Sequence, residues 1–165
     1  MKYLIGVIFI LSILIASAQA TEINLNSGWN FISTPSTLAS GNDSAFIFHE
    51  VDTGGHSIYA YNASAKAWHQ LMSDDIIQPL DAFWIYSVSP TSVPLVFDTN
   101  SLTPSSKQLE PGWNAIGFSD TLPAAAHETL VSVDASWTTA IGFDAQTQQY
   151  ETSILHGGTG NQMDK

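Results

Sequence analysis

Apolar and polar positions alternate with a period of two through much of this chain, the pattern of strands with one or both faces buried. Ile23 and Leu25 alternate with polar neighbours and lead into Asn26-Ser27-Gly28; Trp29, Phe31 and Ser33 then alternate with Asn30 and Ile32. This predicts a hairpin with its turn at Asn26-Ser27-Gly28. A second hairpin is predicted from Ser57–Asn62, a turn at Ala63-Ser64-Ala65, and a return over Ala67–Leu71. Two β-rich runs follow, Phe83–Val88 and Val93–Phe97. Helical signals are few. Pro123–Val133 reads as a helix capped by Asp120 or Thr121, and Asp43–Val51 as a shorter one capped by Asn42 or Asp43.

The same order of signals occurs twice. Leu25-Asn26-Ser27-Gly28-Trp29-Asn30-Phe31-Ile32-Ser33 returns 84 residues later as Leu109-Glu110-Pro111-Gly112-Trp113-Asn114-Ala115-Ile116-Gly117. Tyr61-Asn62-Ala63-Ser64-Ala65-Lys66-Ala67-Trp68 returns 82 residues later as Phe143-Asp144-Ala145-Gln146-Thr147-Gln148-Gln149-Tyr150. Thr138–Asp144 and Gln149–Ile154 are thereby expected to form a hairpin like that of 57–71. Two anchors in one order, at nearly one offset, are read as a tandem duplication with copies over 21–100 and 101–165. Gly28 and Gly112 are expected at positive φ. The second copy has no counterpart of the Phe83 and Val93 strands. It is expected to be incomplete, either truncated or completed by another segment or another chain, with unpaired edges open to pairing. The fold expected is mainly β: two tandem antiparallel repeats, sandwich- or barrel-like, with one or two short helices.

Ahead of the repeats, Lys2 precedes a charge-free apolar run from Tyr3 to Ala16, and Ser17-Ala18-Gln19-Ala20 offers small residues at the cleavage positions. Residues 1–20 are therefore read as a signal peptide, with an uncleaved anchor as the alternative. No later segment approaches spanning length. The expected location is extracellular or at the cell surface.

Charge narrows the partners. Against 15 Asp and Glu the chain carries only Lys2, Lys66, Lys107 and Lys165, no Arg, and a net charge of −11; loss of Lys2 with the leader makes it more acidic still. Displacing counterions from phosphates needs cations, so nucleic acids and anionic membrane surfaces are disfavoured. With no Cys, disulfide scaffolds, thiol catalysis and thiolate metal sites drop out.

The remaining candidate chemistry is sparse. His49, Glu50, Asp52 and His56 form the densest polar cluster, but zinc sites bring three ligands at tight spacing and the second copy has no equivalent; a solvated loop is the simpler reading. Asp74, Asp75 and Asp81 contain no calcium loop, and would serve hydrolysis only if two carboxylates faced each other across a cleft. Gly157–Gly160 lacks the Lys-Ser/Thr of a phosphate loop. No catalytic residue, metal site or cofactor is assigned. Asn42-Asp43-Ser44 and Asn62-Ala63-Ser64 are sequons, making Asn42 and Asn62 candidate glycosylation sites. Among the five Trp, Trp29, Trp84 and Trp113 are read as structural, Trp84 as core. Tyr59, Tyr61 and Trp68 form a candidate ligand platform, since sugars stack on exposed rings.

Gly28-Trp29-Asn30-Phe31-Ile32-Ser33-Thr34-Pro35, Gly112-Trp113-Asn114-Ala115-Ile116-Gly117-Phe118 and Phe83-Trp84-Ile85-Tyr86 resemble the Gly-Trp-Asn repeats of exported surface proteins in methanogenic archaea. The resemblance covers nearly the whole mature chain. It implies a cell-surface or envelope location and carries over no catalytic residue. The repeats of that group end in a Gly-aromatic-Trp strand; here the first copy has Ala82-Phe83-Trp84 and the second stops short of it. The expected function is a non-catalytic surface interaction or structural module, self-associating or binding other surface proteins through edge strands. The alternative is an extracellular carbohydrate-binding module.

Overall fold

The computed structural model describes residues 21–39, 41–99, 104–119, 124–157 and 162–163. The signal peptide expected over 1–20, the helix caps expected at Asp120 or Thr121, Pro123 and the glycine run 158–160 lie outside them. The protein is mainly β, in several antiparallel sheets with short helical pieces.

Two sheets carry the first segment. Strand β1 (Thr21–Leu25) ends at a corner, and β2 (Gly28–Ile32) continues beyond it; β3 (Tyr59–Asn62) and β4 (Ala67–Gln70) form a hairpin; β5 (Phe83–Ser87) and β6 (Thr91–Leu95) flank a second corner. Among the described residues β1 pairs only with β6, while the other four make a sheet in the order β2-β5-β3-β4. The 59–70 hairpin is as expected, with Tyr61 opposite Trp68.

The hairpin expected of β1 and β2 does not form. Instead, β1–β2 is one bent strand lying antiparallel to a second bent strand, β6–β5: Thr21 pairs with Leu95 through Leu25 with Thr91, then Gly28 with Ser87 through Ile32 with Phe83. The reason is Asn30, 1 % exposed. Its Oδ1 accepts from the Asn26 N–H at 2.8 Å, and its Nδ2 donates to the Asn26 and Gly28 carbonyls at 2.9 and 3.0 Å. The side chain thus takes up both backbone groups of Asn26, which a turn over 26–29 would pair with Trp29, and the chain bends without reversing. Gly28 sits at φ 103°, where any Cβ is strained. Across the corner, the Ser27 hydroxyl donates to the Val88 carbonyl at 2.8 Å.

Because strands alternate faces, the bend turns Leu25, Val93 and Leu95 of one sheet toward Phe83 and Ile85 of the other. These five, with Leu38, Phe48, Val51 and Ile77, are the hydrophobic core. Helix α1 (Ser44–Ile47) delivers Phe48 to it and is capped as expected, Asp43 Oδ1 accepting from the Phe46 N–H at 2.8 Å. Phe48 meets Phe83 edge-on at 5.5 Å.

The second segment is built from much shorter pieces: β7 (Ala124–Ala125), α2 (Ala126–Thr129), a 3-10 turn (Val131–Val133), β8 (Thr139–Ala140), β9 (Phe143–Asp144), β10 (Gln149–Tyr150), β11 (Ile154–Leu155) and β12 (Gln162–Met163). β9 pairs with β10, β8 with β11 and β7 with β12. The hairpin expected over 138–154 is present as two short ladders of two residue pairs each. Where a helix is expected over 123–133, the described residues form α2 and, after Leu130, the 3-10 turn; that turn buries no residue, so packing does not extend it.

Candidate functional site

The corner recurs in the second segment. Asn114 Oδ1 accepts from the Glu110 N–H at 3.0 Å, and its Nδ2 donates to the Glu110 and Gly112 carbonyls at 2.8 and 3.0 Å, with Gly112 at φ 111°. The hairpin turn recurs too. Asn62 Oδ1 accepts from the Ser64 hydroxyl and Ala65 N–H, and Asp144 from the Gln146 and Thr147 N–H groups and the Thr147 hydroxyl. Lys66 and Gln148 take the same left-handed conformation, φ 54° and 58°. Those hydrogen bonds, that of Thr147 Oγ1 foremost, hold the Asp144 carboxyl below its ordinary value.

The face of the four-stranded sheet opposite the core is aromatic. Trp29 and Phe31 of β2, Trp84 and Tyr86 of β5, Tyr59 and Tyr61 of β3 and Trp68 of β4 share it by register. Trp84 is therefore not core: Phe83, Ile85 and Ser87 point inward, and Trp84 and Tyr86 are half-buried on the other face. His56 stacks onto this face, its ring 4.4 Å from Tyr86 and 5.3 Å from Trp29. At the outer end lie the three platform residues. Tyr61 and Trp68 are 5.1 Å apart and tilted by 56°, Trp68 is 49 % exposed, and Tyr59 is exposed beside them.

The middle of the face receives the second segment. Phe143 packs edge-on against Trp84 at 4.7 Å, and Tyr150 lies 6.3 Å from the same ring. Beside them, the turn residue Gln148 meets the outer edge of β2. Its Oε1 accepts from the Trp29 N–H at 2.7 Å, and its Nε2 donates to the Trp29 carbonyl at 2.8 Å. Alternate residues of an edge strand direct both backbone groups outward, and one side-chain amide here satisfies both, as a neighbouring strand would. The Gln148 Nε2 also donates to the Ala145 carbonyl at 2.7 Å, which holds the amide in place. A Cβ on Gly28 would lie 2.6 Å from the Gln148 amide carbon, so this glycine admits the partner as well as the bend.

A second contact joins the segments at the start of β5. Gly117 N–H donates to the Leu80 carbonyl at 2.8 Å, Asp81 bridges to Ile116, and Lys107 pairs with the Asp81 carboxylate and donates to the Ala115 carbonyl at 3.0 Å. Asp81 and Lys107 line an open cleft of about 320 Å³ with Tyr61, His69, Asp75 and Leu71. Its carboxylates are already engaged: Asp81 with Lys107, and Asp75 with the Met72 N–H at 2.8 Å.

The other candidates separate. His49 is exposed, 3.6 Å from Glu50, while Asp52 accepts from the Gly54 N–H and His56 belongs to the aromatic face. Among the described residues no group of three or more His, Cys, Asp or Glu is placed to hold a metal, and no helix is long and apolar enough to cross a membrane. The two sequons differ. Ser44 of the Asn42 sequon is buried, its hydroxyl donating to the Met72 carbonyl at 2.6 Å, whereas Asn62 and Ser64 stand on an exposed turn. Of Trp29 and Trp113, both expected to be buried, Trp29 is half-buried on the aromatic face, and Trp113 is 61 % exposed, because no described strand lies against it as β5 lies against β2.

Sequence reasoning missed Trp29, Phe31, Trp84, Tyr86 and Gln148. The first four carried a signal, aromatic residues spaced by two in each of two strands; Gln148 carried none beyond its place opposite Lys66. Compared with known protein families, curated proteins and solved structures, the chain has no match.

Proposed function

We propose that this is a non-catalytic exported surface module, built as tandem copies whose role is to dock extended backbone and hairpin turns of neighbouring protein units. The observation that carries this reading is the Gln148 contact with both backbone groups of Trp29. It is a protein–protein interface in miniature: two hydrogen bonds fix register, and Trp84 against Phe143 supplies apolar contact. The recurrence of the Asn30 corner at Asn114 and of the Asn62 turn at Asp144 supports the duplication. The acidic surface keeps such a module soluble and disfavours anionic partners.

The test is sedimentation of the leader-free chain over a wide concentration range, alone and mixed with envelope protein from its source. Reversible association supports the reading; a monomer that recruits nothing at any concentration sinks it.

A second reading rests on Tyr59, Tyr61 and Trp68, clustered at the end of the sheet face that the second segment leaves uncovered. Their exposure favours a carbohydrate ligand stacked on one ring at a time, since Tyr61 and Trp68 are not coplanar. Glycan-array binding lost in Trp68→Ala, with no change in sedimentation, would favour it over the docking module.

A further inference from the structure

The interface between Trp29 and the Gln148 turn has an acceptor half and a donor half, and the chain holds each half twice. The acceptor half is the Asn-clamped corner with a positive-φ glycine before Trp, present at Gly28-Trp29-Asn30 and at Gly112-Trp113-Asn114. The donor half is the left-handed turn residue, Gln148 in one hairpin and Lys66 in the other. Among the described residues, only one acceptor and one donor meet. The space filled by the Gln148 amide beside Gly28 is open beside Gly112, where no described residue other than its two chain neighbours lies within 4 Å of the point a Cβ would occupy. Trp113 is exposed, and no described residue bonds its N–H or carbonyl.

Lys66 does not suit the reciprocal contact. An ammonium donates to a carbonyl but cannot accept from an N–H, whereas a carboxamide does both. The turn of the first segment can thus make only one of the two hydrogen bonds to a Trp of this kind, and a second copy of this chain offers no free Gln-bearing turn while its own Gln148 holds its own Trp29.

We infer that the backbone of Trp113 is a docking site for a hairpin turn of another polypeptide unit that carries a carboxamide side chain, Gln, at its left-handed position. It continues, one unit further along, the interface already formed at Trp29. The array has direction: the Lys66 hairpin closes one end, and the Gly112–Asn114 corner presents the other. The inference rests on the docking function proposed above and names the partner for it.

The experiment uses the leader-free full chain, isotope-labelled, and a backbone-cyclised peptide spanning residues 142–151, a stretch the protein closes with a Glu151 N–H to Gly142 carbonyl bond of 3.0 Å. NMR follows the Trp113 and Trp29 amides. The expected result is a saturable shift of the Trp113 amide, with Trp29 unmoved because its site is filled. A peptide with Lys in place of Gln148 should bind about tenfold more weakly or not at all, as two hydrogen bonds are reduced to one. The chain carrying Gln148→Lys is the internal control, in which the wild-type peptide should also capture Trp29. Capture of Trp29 without Trp113 overturns the inference alone, leaving the docking reading in place. Capture of neither overturns the inference and removes the support that the turn gives to the docking reading. Equal binding of the Gln and Lys peptides overturns the carboxamide requirement.

Discussion

The two segments share local frames and differ in what lies against them. Asn30 and Asn114 make the same three hydrogen bonds at the same spacing, yet Asn30 is 1 % exposed and Asn114 is half-exposed. The first corner is flanked by β5 and β6, so its bend folds a sheet over a core; the second has no such strands among the described residues. A corner, in this protein, is specified by one side chain and its glycine. A core requires the partner strands as well.

That contrast can be broken most sharply at Phe83, the largest fully buried side chain and 1 % exposed. Phe83→Ala should remove about 3–5 kcal/mol, near the whole stability of a small domain. Phe143→Ala, on a half-buried ring, should cost about 1 kcal/mol by partial loss of apolar area. Urea unfolding followed by Trp fluorescence reads both; equal losses would erase the distinction between the segments.

The Asn pair is the next test. Asn30→Ala removes a buried side chain and three part-buried hydrogen bonds to Asn26 and Gly28 and should destabilise by about 2–3 kcal/mol, whereas water replaces the bonds lost in Asn114→Ala, leaving it below about 1 kcal/mol. The same unfolding experiment measures both.

Smaller still is the loss of the inter-segment clamp. Gln148→Ala removes the two hydrogen bonds to Trp29 and the one to the Ala145 carbonyl, at an exposed edge, and should weaken docking by about 1–2 kcal/mol, with little change in the unfolding of the core. Near-ultraviolet circular dichroism reports it through Trp84, whose ring meets Phe143.

The weakest effect is one of pH. Asp144 titrates below the ordinary carboxylate range because its ionised form accepts the turn's hydrogen bonds. Its contribution is full above that range and fades as pH falls through the lowered folded value, since protonation favours the unfolded turn. The 144–148 turn should loosen in acid while the matching Asn62 turn, which has no ionisable group at that place, stays unchanged. Amide shifts of Gln146 and Ala65 on acid titration separate the two.

How much of this is legible in the sequence follows from the same contrast. The 59–70 hairpin, β5, β6, the Asp43 cap and the positive φ at Gly28 and Gly112 all depend on neighbours near in sequence, and alternation and turn chemistry expose them. The bend between β1 and β2 reads as a reversal because Asn26-Ser27-Gly28 has turn composition, while the deciding group, the Asn30 carboxamide, sits inside the next strand. Trp84 reads as core because an all-apolar strand does not declare which face is buried; the polar Asn30 and Ser87 lie on the buried face, and the aromatics outside it. Of the candidate site, Tyr59, Tyr61 and Trp68 do share one exposed face. Gln148 is invisible to sequence reasoning, since its partner lies 119 residues away and the contact is to backbone.

The central claim is that the side-chain amide of Gln148 stands in for a neighbouring strand at Trp29. Hydrogen exchange of the Trp29 amide, compared between the chain from Thr21 onward and its Gln148→Lys variant, tests it most directly. The account predicts a protected amide that becomes fast-exchanging in the variant, while the Asn30 and Ile85 amides, inside the sheet, keep their protection. Unchanged protection at Trp29 in a folded variant would contradict it.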